Sequence, residues 1–229
     1  MSLLAIWTLV FTVVAYLICG IPFGLLIARA GGVDVRAVGS HNIGTTNVAR
    51  SVGKGAAAAT LACDLGKGLA SMLLARYAIA ALALGGDVAA LDHTTAFGAC
   101  MSCVYLGCIL GHVFSCYLGF HGGKGIAVGF GAGLGLYWPV ALGLLLVFVL
   151  VAVPTRYVSA GSVAADVSLP FWCAFFGFPL VSIIPVTFVS VVVLWAHRAN
   201  IRKLATGKES KFSFHKSGVG SDSGQGDGK

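Results

Sequence analysis

The amino-acid sequence predicts an all-α, polytopic membrane protein: a bundle of about seven transmembrane helices with short half-helices, its N-terminus outside and its C-terminus cytoplasmic. Of the 229 residues, 58% are hydrophobic and only 10% are charged, and the mean hydropathy is +0.92, far above the range of soluble domains. The apolar segments have helical lengths and short breaks between them, whereas the strands of a membrane barrel alternate apolar and polar residues.

Apolar stretches of helical length recur along the chain. Those expected to cross the membrane as single helices are residues 3–28, 68–84, 94–110, 158–176 and 180–196. The first is bent at Pro22, and a polar loop from Gly31 to Arg50 follows it. The run at 55–84 is interrupted by the polar residues at 64–68, so we expect a short half-helix there before the second span.

The apolar run at residues 126–153 contains Tyr137-Trp138-Pro139 near its middle. This triplet fits either a turn between two short helices or one tilted helix with a proline kink. Arg76 and Asp166 fall inside predicted spans, where each charge needs a partner. Residues 1–216 are expected to form a single transmembrane domain, and residues 217–229, which are rich in Gly, Ser and Asp, a disordered tail.

The basic loops fix the predicted orientation. If about seven spans are counted, the loops that fall on one side carry Arg29, Arg36, Arg50, Lys54, Lys124, Arg156 and the basic residues after His197. That side is cytoplasmic by the positive-inside rule, and all the unusual polar loops meet there. The net charge of +7 therefore points to membrane orientation and anionic ligands, and nucleic acid is not an expected partner.

The central loop carries a lysine among glycines, in the order Gly122-Gly123-Lys124-Gly125. Such a loop leaves backbone N–H groups uncovered, which can converge with the ammonium on an anion such as phosphate. The alternative is a tight turn between membrane helices with Lys124 extended to the lipid headgroups. The glycine spacing of a nucleotide P-loop is absent from this sequence.

Three further groups of polar residues belong to the predicted cytoplasmic face. The residues concerned are Ser40, Asn42, Thr46, Asn47 and Arg50 in the first loop, Asp64 and Lys67 at a helix break, and Arg156, Ser159, Ser162, His197, Arg198 and Asn200 in the last two loops, while His112 belongs with Lys124 to the group of the central loop. Hydroxyls and carboxamides can hydrogen-bond a polyol, and arginine can hold phosphate through two parallel bonds. The alternatives are a polar helix-capping turn, a structural Asp64–Lys67 ion pair and interfacial histidines.

Five motifs in this order resemble those of the bacterial acyl-phosphate-dependent glycerol-3-phosphate acyltransferases, the PlsY type. They are Ser40-His41-Asn42-Ile43-Gly44-Thr45-Thr46-Asn47-Val48-Ala49-Arg50, Asp64-Leu65-Gly66-Lys67-Gly68, Gly111-His112-Val113-Phe114 with Gly122-Gly123-Lys124-Gly125, Thr155-Arg156-Tyr157-Val158-Ser159 and His197-Arg198-Ala199-Asn200-Ile201. The resemblance covers nearly the whole chain before the tail.

The resemblance implies a seven-span bacterial inner-membrane enzyme of phospholipid biosynthesis. Such an enzyme transfers a fatty acyl group from acyl phosphate to the 1-hydroxyl of glycerol 3-phosphate, giving lysophosphatidic acid and phosphate, without a cofactor or metal. It places Ser40, Asn42, Thr46, Asn47, Arg50, Lys124, His197 and Asn200 at the substrate and catalytic site. Where the family usually has Gly, Pro, Lys and Thr, this chain has His41, Ser115, His121 and Val128. His41 is expected to narrow the substrate pocket, and His121 removes a fixed charge.

The implied chemistry fits the residues. Both substrates are anionic, so cations must offset their repulsion, and Arg50, Lys124, Arg156 and Arg198 are the candidates. The general base is either His197 or a phosphate oxygen of the substrate. None of the six histidines has an aspartate five residues later, so the dyad of other glycerolipid acyltransferases is missing. The competing interpretation is a transporter of a phosphorylated small anion.

Overall fold

The computed structural model describes residues 2–87 and 90–211, and its regular secondary structure is helical throughout this part of the chain. The α-helices are α1 (Leu3–Gly20), α2 (Phe23–Ala30), α3 (Thr45–Ser51), α4 (Lys54–Ala83), α5 (Ala96–Val113), α6 (Ile126–Thr155), α7 (Val158–Phe175), α8 (Leu180–Ala196) and α9 (Arg198–Ala205). Within these described ranges, five stretches are long and apolar enough to cross a membrane, or six if α8 and α9, bent by 60°, are one span. The all-helical membrane class is thus confirmed. The predicted tail lies outside the described residues.

The first span is interrupted at Pro22, the position predicted for its bend. Proline has no N–H to continue the helix, so α1 ends at Gly20 and α2 begins at Phe23. The carbonyls freed at the break find partners on other elements: Ser115 Oγ donates to Gly20 O at 2.6 Å and Lys67 Nζ to Ile21 O at 2.7 Å. These two hydrogen bonds therefore join the break after α1 to Lys67 of α4 and to Ser115, just after the C-terminal end of α5.

The predicted half-helix at 55–68 is wrong, because α4 runs unbroken from Lys54 to Ala83. Asp64 and Lys67 lie on one helical face and form an ion pair at 2.8 Å, so neither charge has to break the helix to find a partner. Gly68 faces the backbone of α6, where a Cβ would come within 2.9 Å of Ala132 N. Packing between α4 and α6 thus outweighs the low helix propensity of glycine.

Helix α6 contains a reversal at Tyr137, whose backbone is extended (φ −163°, ψ 110°). A Cβ on Gly133 would lie 3.5 Å from the Cβ of Ala141, whereas eight residues of straight helix span about 12 Å. The turn interpretation of Tyr137-Trp138-Pro139 is therefore correct, and α6 consists of two arms that fold back on each other.

Arg76 stabilises this reversal. Its guanidinium donates to Gly135 O at 3.0 Å and Leu136 O at 2.9 Å, the last carbonyls of the first arm of α6. Those carbonyls have no partner within their own helix, and a cation is favourable at a helix C-terminus. The charge that seemed misplaced in a membrane span is thus the cap of a helix end inside the bundle.

Helix α5 is the centre of the bundle. Of the residues in its most apolar stretch, 72% are buried, whereas the corresponding share is 28% for the spans of α1 and α6. Helix α5 packs against α1, α8 and α6. The described core is built largely on its face, with Met101, Val104, Tyr105, Cys108 and Ile109 all nearly inaccessible. Because α5 packs against several helices, its C-terminal end lies beside the ends of its neighbours at one end of the bundle.

Candidate active site

A cavity of about 520 Å³ opens at this end of the bundle. Of the predicted site residues, those that line it are Ser40, Asn42, Thr46, Asn47, Arg50, Asp64, His112, Lys124, Gly125, Ser159, Ser162, His197 and Asn200. All five motifs thus contribute residues to one cavity. Lys67, Gly122, Gly123, Arg156 and Arg198 are outside the lining.

The first loop is held in shape by Asn47. Its Nδ2 donates to the carbonyls of Val35 at 2.8 Å, Val38 at 3.1 Å and Asn42 at 2.9 Å, and its Oδ1 accepts from the N–H of Ser40 at 2.9 Å. The residue is 2% exposed, and both ends of its amide are occupied. Asn47 therefore shapes the loop that presents Ser40 at the cavity.

Two further residues of the first loop depart from expectation. Thr45 was not predicted as a site residue, but it lines the cavity, and its Oγ1 is buried without a partner among the described residues. His41 is exposed and outside the lining, with Nδ1 hydrogen-bonded to Arg36 O at 2.9 Å. The expectation that His41 narrows the pocket is therefore wrong.

Below the loop lies a buried cluster of Asp64, Lys67 and His112, each at most 5% exposed. Lys67 Nζ is 2.8 Å from Asp64 Oδ1 and 3.2 Å from His112 Nδ1. Because an ammonium has only donors, His112 Nδ1 must accept, which assigns the ring proton to Nε2. Lys67 lies behind the cavity wall, so the structure gives it an ion pair and a carbonyl contact rather than a place in the lining.

The glycine loop is used differently from the prediction. The N–H of Gly122 donates to Val113 O and that of Gly123 to His112 O, both at 3.0 Å, so these groups cap the end of α5. A Cβ on Gly123 would collide with the ring of His112. Only glycine at these two positions lets the loop backbone pack this closely against His112. The expectation that the two N–H groups are free for an anion is wrong, because both are bonded to carbonyls of α5.

Only the last part of this loop faces the cavity. Gly125 has φ +85° and directly precedes α6. Gly125 lines the cavity together with Ile126 and Ala127, so the N-terminal turn of α6 forms part of the cavity wall. The uncovered N–H groups at a helix N-terminus favour an anion. Lys124 stands beside them, and the positive end of α6 adds to its charge.

Lys124 is part of a chain of hydrogen bonds that ends on Glu209. Its Nζ donates to Asn200 Oδ1, Asn200 Nδ2 donates to Glu209 Oε1 at 2.8 Å, and Ser159 Oγ donates to the same oxygen at 2.8 Å. Burial lowers the pKa of Lys124; Glu209 opposes this shift, while Lys203 and Arg50 add to it. The carboxylate fixes the Asn200 amide with its oxygen toward the lysine.

Glu209 is the only glutamate in the chain, and it was not among the site residues predicted from the sequence. It reaches the cavity because Gly207 (φ +68°) ends α9 in a Schellman turn, with Lys208 N donating to Lys203 O at 2.8 Å and Gly207 N to Leu204 O at 3.2 Å. A glycine after a basic last helical turn is the signal that predicts this reversal.

His197 forms another wall of the cavity and is 2% exposed. Its Nδ1 lies 2.9 Å from Val193 O, and a carbonyl can only accept, so the ring proton is on Nδ1. Nε2 consequently keeps its lone pair, as a general base requires.

Two of the predicted anion-binding cations are placed elsewhere. Arg198 is exposed, stacks 3.9 Å from the ring centroid of Trp195 and donates to Trp195 O at 2.9 Å. Arg156 is an exposed residue with φ +62° just after α6. Neither residue lines the cavity, whose lining cations are Arg50 and Lys124.

The deeper part of the cavity is apolar. Its walls are formed mainly by Tyr105, Ile109, Phe130, Leu144, Leu145, Phe148, Leu169 and Val193. A polar, cationic mouth is thus continuous with a hydrophobic interior, a combination that suits an amphiphile with an anionic head. Within residues 2–87 and 90–211, no group of three or more His, Cys, Asp and Glu side chains could hold a metal ion.

Comparison with known proteins identifies the family. The family model described as glycerol-3-phosphate acyltransferase matches residues 9–207. The chain belongs to the glycerol-3-phosphate acyltransferase family. The resemblance inferred from the motifs and the assignment as an acyltransferase are both confirmed, and the transporter interpretation is set aside.

Relatives match over nearly their full length. A glycerol-3-phosphate acyltransferase of Rubrobacter xylanophilus is 40% identical over 205 residues, which cover 90% of this chain and 95% of that protein. Another, of a Ruegeria species, is 44% identical over 200 residues, or 87% and 90% of the two chains.

The fold of this family member matches solved structures as well. The crystal structure of PlsY (YgiH), described as an integral membrane glycerol 3-phosphate acyltransferase in its glycerol 3-phosphate form, superposes with a TM-score of 0.78 at 32% identity, covering 90% of this chain and 96% of that one. Its lysophosphatidic acid form gives a TM-score of 0.76 at 30% identity, covering 90% and 95%. Membership of an integral membrane family agrees with the apolar helices described above.

Proposed function

We propose that this acyltransferase moves a fatty acyl group from acyl phosphate to the 1-hydroxyl of sn-glycerol 3-phosphate, giving lysophosphatidic acid and inorganic phosphate. The observation that carries the proposal is the continuity of a cationic mouth, lined by Arg50 and Lys124, with an apolar interior. One end of this cavity suits phosphates and the other an acyl chain, so the reacting carbonyl would lie at their junction.

In the reaction, the hydroxyl oxygen of glycerol 3-phosphate attacks the acyl carbonyl carbon and its proton passes to a base. The bond from that carbon to the phosphate oxygen then breaks, and phosphate leaves with the electron pair. His197 Nε2, with its free lone pair, is our candidate base, and a phosphate oxygen of the substrate is the alternative.

The cations serve the anions of both substrates. Lys124 and Arg50 reduce the repulsion between the two phosphates, and Lys124 with the start of α6 stabilises charge as it develops on the leaving phosphate. Ser40, Asn42, Thr46, Ser159 and Asn200 offer hydrogen bonds to the glycerol and phosphate oxygens. Asp64 and His112 complete the wall of the cavity from below.

We further propose seven crossings, with the N-terminus outside and the cavity at the cytoplasmic face of the bacterial inner membrane. Support comes from the contacts of Lys124, Asn200, Glu209 and Ser159, which join the start of α6, helix α9 directly after α8, and the start of α7. Both ends of α6 are then on one side, so its two arms count as two crossings. The basic loops lie on that same side.

The decisive experiment incubates the purified protein in detergent or vesicles with palmitoyl phosphate and glycerol 3-phosphate. Phosphate release and lysophosphatidic acid should appear in equal amounts, and palmitoyl-coenzyme A offered as the donor should give no product. Product formed from the thioester but not from acyl phosphate would overturn the donor assignment.

A further inference from the structure

The apolar interior of the cavity contains one carboxylic acid, Asp166. The residue lines the cavity, is 8% exposed, and has a buried Oδ2 without a hydrogen-bond partner among the described residues. Its backbone carbonyl is occupied, since Ser190 Oγ donates to it at 2.9 Å. The Asp166 carboxyl is therefore buried, and its Oδ2 has no hydrogen-bond partner within residues 2–87 and 90–211.

The position of Asp166 places it along the path of an acyl chain. It lies seven residues after Ser159 on α7, which is about 10 Å deeper along the helix axis and on the same face. Leu169 lies one turn further in, and Phe148 and Val193 line the same interior. A chain whose carbonyl reacts at the polar mouth must pass this carboxyl group.

An unpartnered carboxyl beside a plain hydrocarbon is unfavourable, because the chain displaces water and returns no hydrogen bond. A hydroxyl group on the chain would remove that penalty, since it can donate to a carboxylate oxygen. Rotation about the Cβ–Cγ bond of Asp166 presents either oxygen to the cavity. A polar residue among apolar walls thus discriminates between chains that differ in one hydroxyl.

We propose that Asp166 is a specificity-determining residue that selects acyl donors bearing a hydroxyl group near the middle of the chain. The inference rests on the proposed function, because it requires an acyl chain in the interior of the cavity. It concerns which donor is used, whereas the proposed function concerns the reaction itself.

The test compares kcat/KM for stearoyl phosphate and a mid-chain hydroxystearoyl phosphate, with glycerol 3-phosphate saturating. The wild-type enzyme should favour the hydroxylated donor, and Asp166→Leu should lower the ratio of hydroxylated to plain donor by about tenfold. Asp166→Asn, which keeps an acceptor of nearly the same shape, should retain most of the preference.

Ser182→Ala is the matched control. Ser182 is also buried with an unpartnered Oγ among the described residues, but it is on α8 outside the cavity lining. Its replacement should leave the ratio unchanged. A wild-type enzyme without a preference, or a ratio that Asp166→Leu does not move, overturns the inference. Failure of the proposed function would instead appear as no turnover of either donor by the wild-type enzyme.

Discussion

The ammonium of Lys124 donates a hydrogen bond to Oδ1 of Asn200, although the two residues are 76 positions apart. One precedes the first turn of α6 and the other lies in α9, so the bond joins the glycine loop to the C-terminal segment. Glu209 holds the other end of the Asn200 amide and fixes its orientation. Glu209, near the end of the described chain, thus fixes the amide that orients the Lys124 ammonium.

Lys124→Ala should reduce kcat by about 100-fold or more, because the charge on the leaving phosphate then loses its principal stabilising cation. Phosphate release with palmitoyl phosphate measures the effect. The melting temperature in detergent should change little, since Lys124 is a half-buried loop residue. Turnover close to that of the wild type would show that another group carries the charge.

Glu209→Gln should shift the alkaline limb of the kcat/KM profile to lower pH. The charged ammonium of Lys124 is the active form, so activity falls as pH rises through its pKa. Glu209 raises that pKa against the lowering by burial. Without the carboxylate the pKa falls and activity is lost at lower pH, whereas a purely structural defect would reduce activity at every pH.

Asp92→Asn provides the control for the pH profile. It is the same change of charge, made at the N-terminal approach to α5, far along that helix from the cavity. Its profile should coincide with that of the wild type. If both variants shift the limb equally, the effect is one of net charge and not of the contact between Glu209 and Asn200.

Gly68→Ala should destabilise the protein by about 2 kcal/mol, because the new methyl group meets the backbone of α6. Gly66→Ala, two residues earlier on α4, meets no atom within 4 Å among the described residues. It should be neutral or stabilising by up to about 1 kcal/mol. Thermal unfolding in detergent separates the two, and equal effects would mean that α4 and α6 do not pack as described.

Arg76→Leu should destabilise the bundle by about 1 to 3 kcal/mol, because Gly135 O and Leu136 O lose their donors inside the protein. The melting temperature in detergent measures this loss. Arg36→Leu is the control, since Arg36 forms an exposed ion pair with Asp34. Its effect should be clearly smaller, and equal losses would argue against the capping of α6 by Arg76.

The sequence was sufficient for the features that depend on local composition. Apolar stretches of membrane length located the helices, proline located the break after α1, and the ordered motifs identified the family and most of the polar residues that line the cavity. These inferences succeeded because hydrophobicity over about 20 residues decides whether a segment enters the bilayer, whatever its neighbours are.

The tertiary structure decided how polar groups are shared among those helices. Asp64 and Lys67 satisfy each other within a continuous α4, Arg76 caps an arm of α6, and the N–H groups of Gly122 and Gly123 serve α5 rather than an anion. Glu209 lies in the site because Asn200 and Ser159 are its partners, and Arg198 lies outside because it contacts Trp195. A buried polar group is stabilised by whichever partner the packing brings near, and partners distant in sequence cannot be assigned from local pattern.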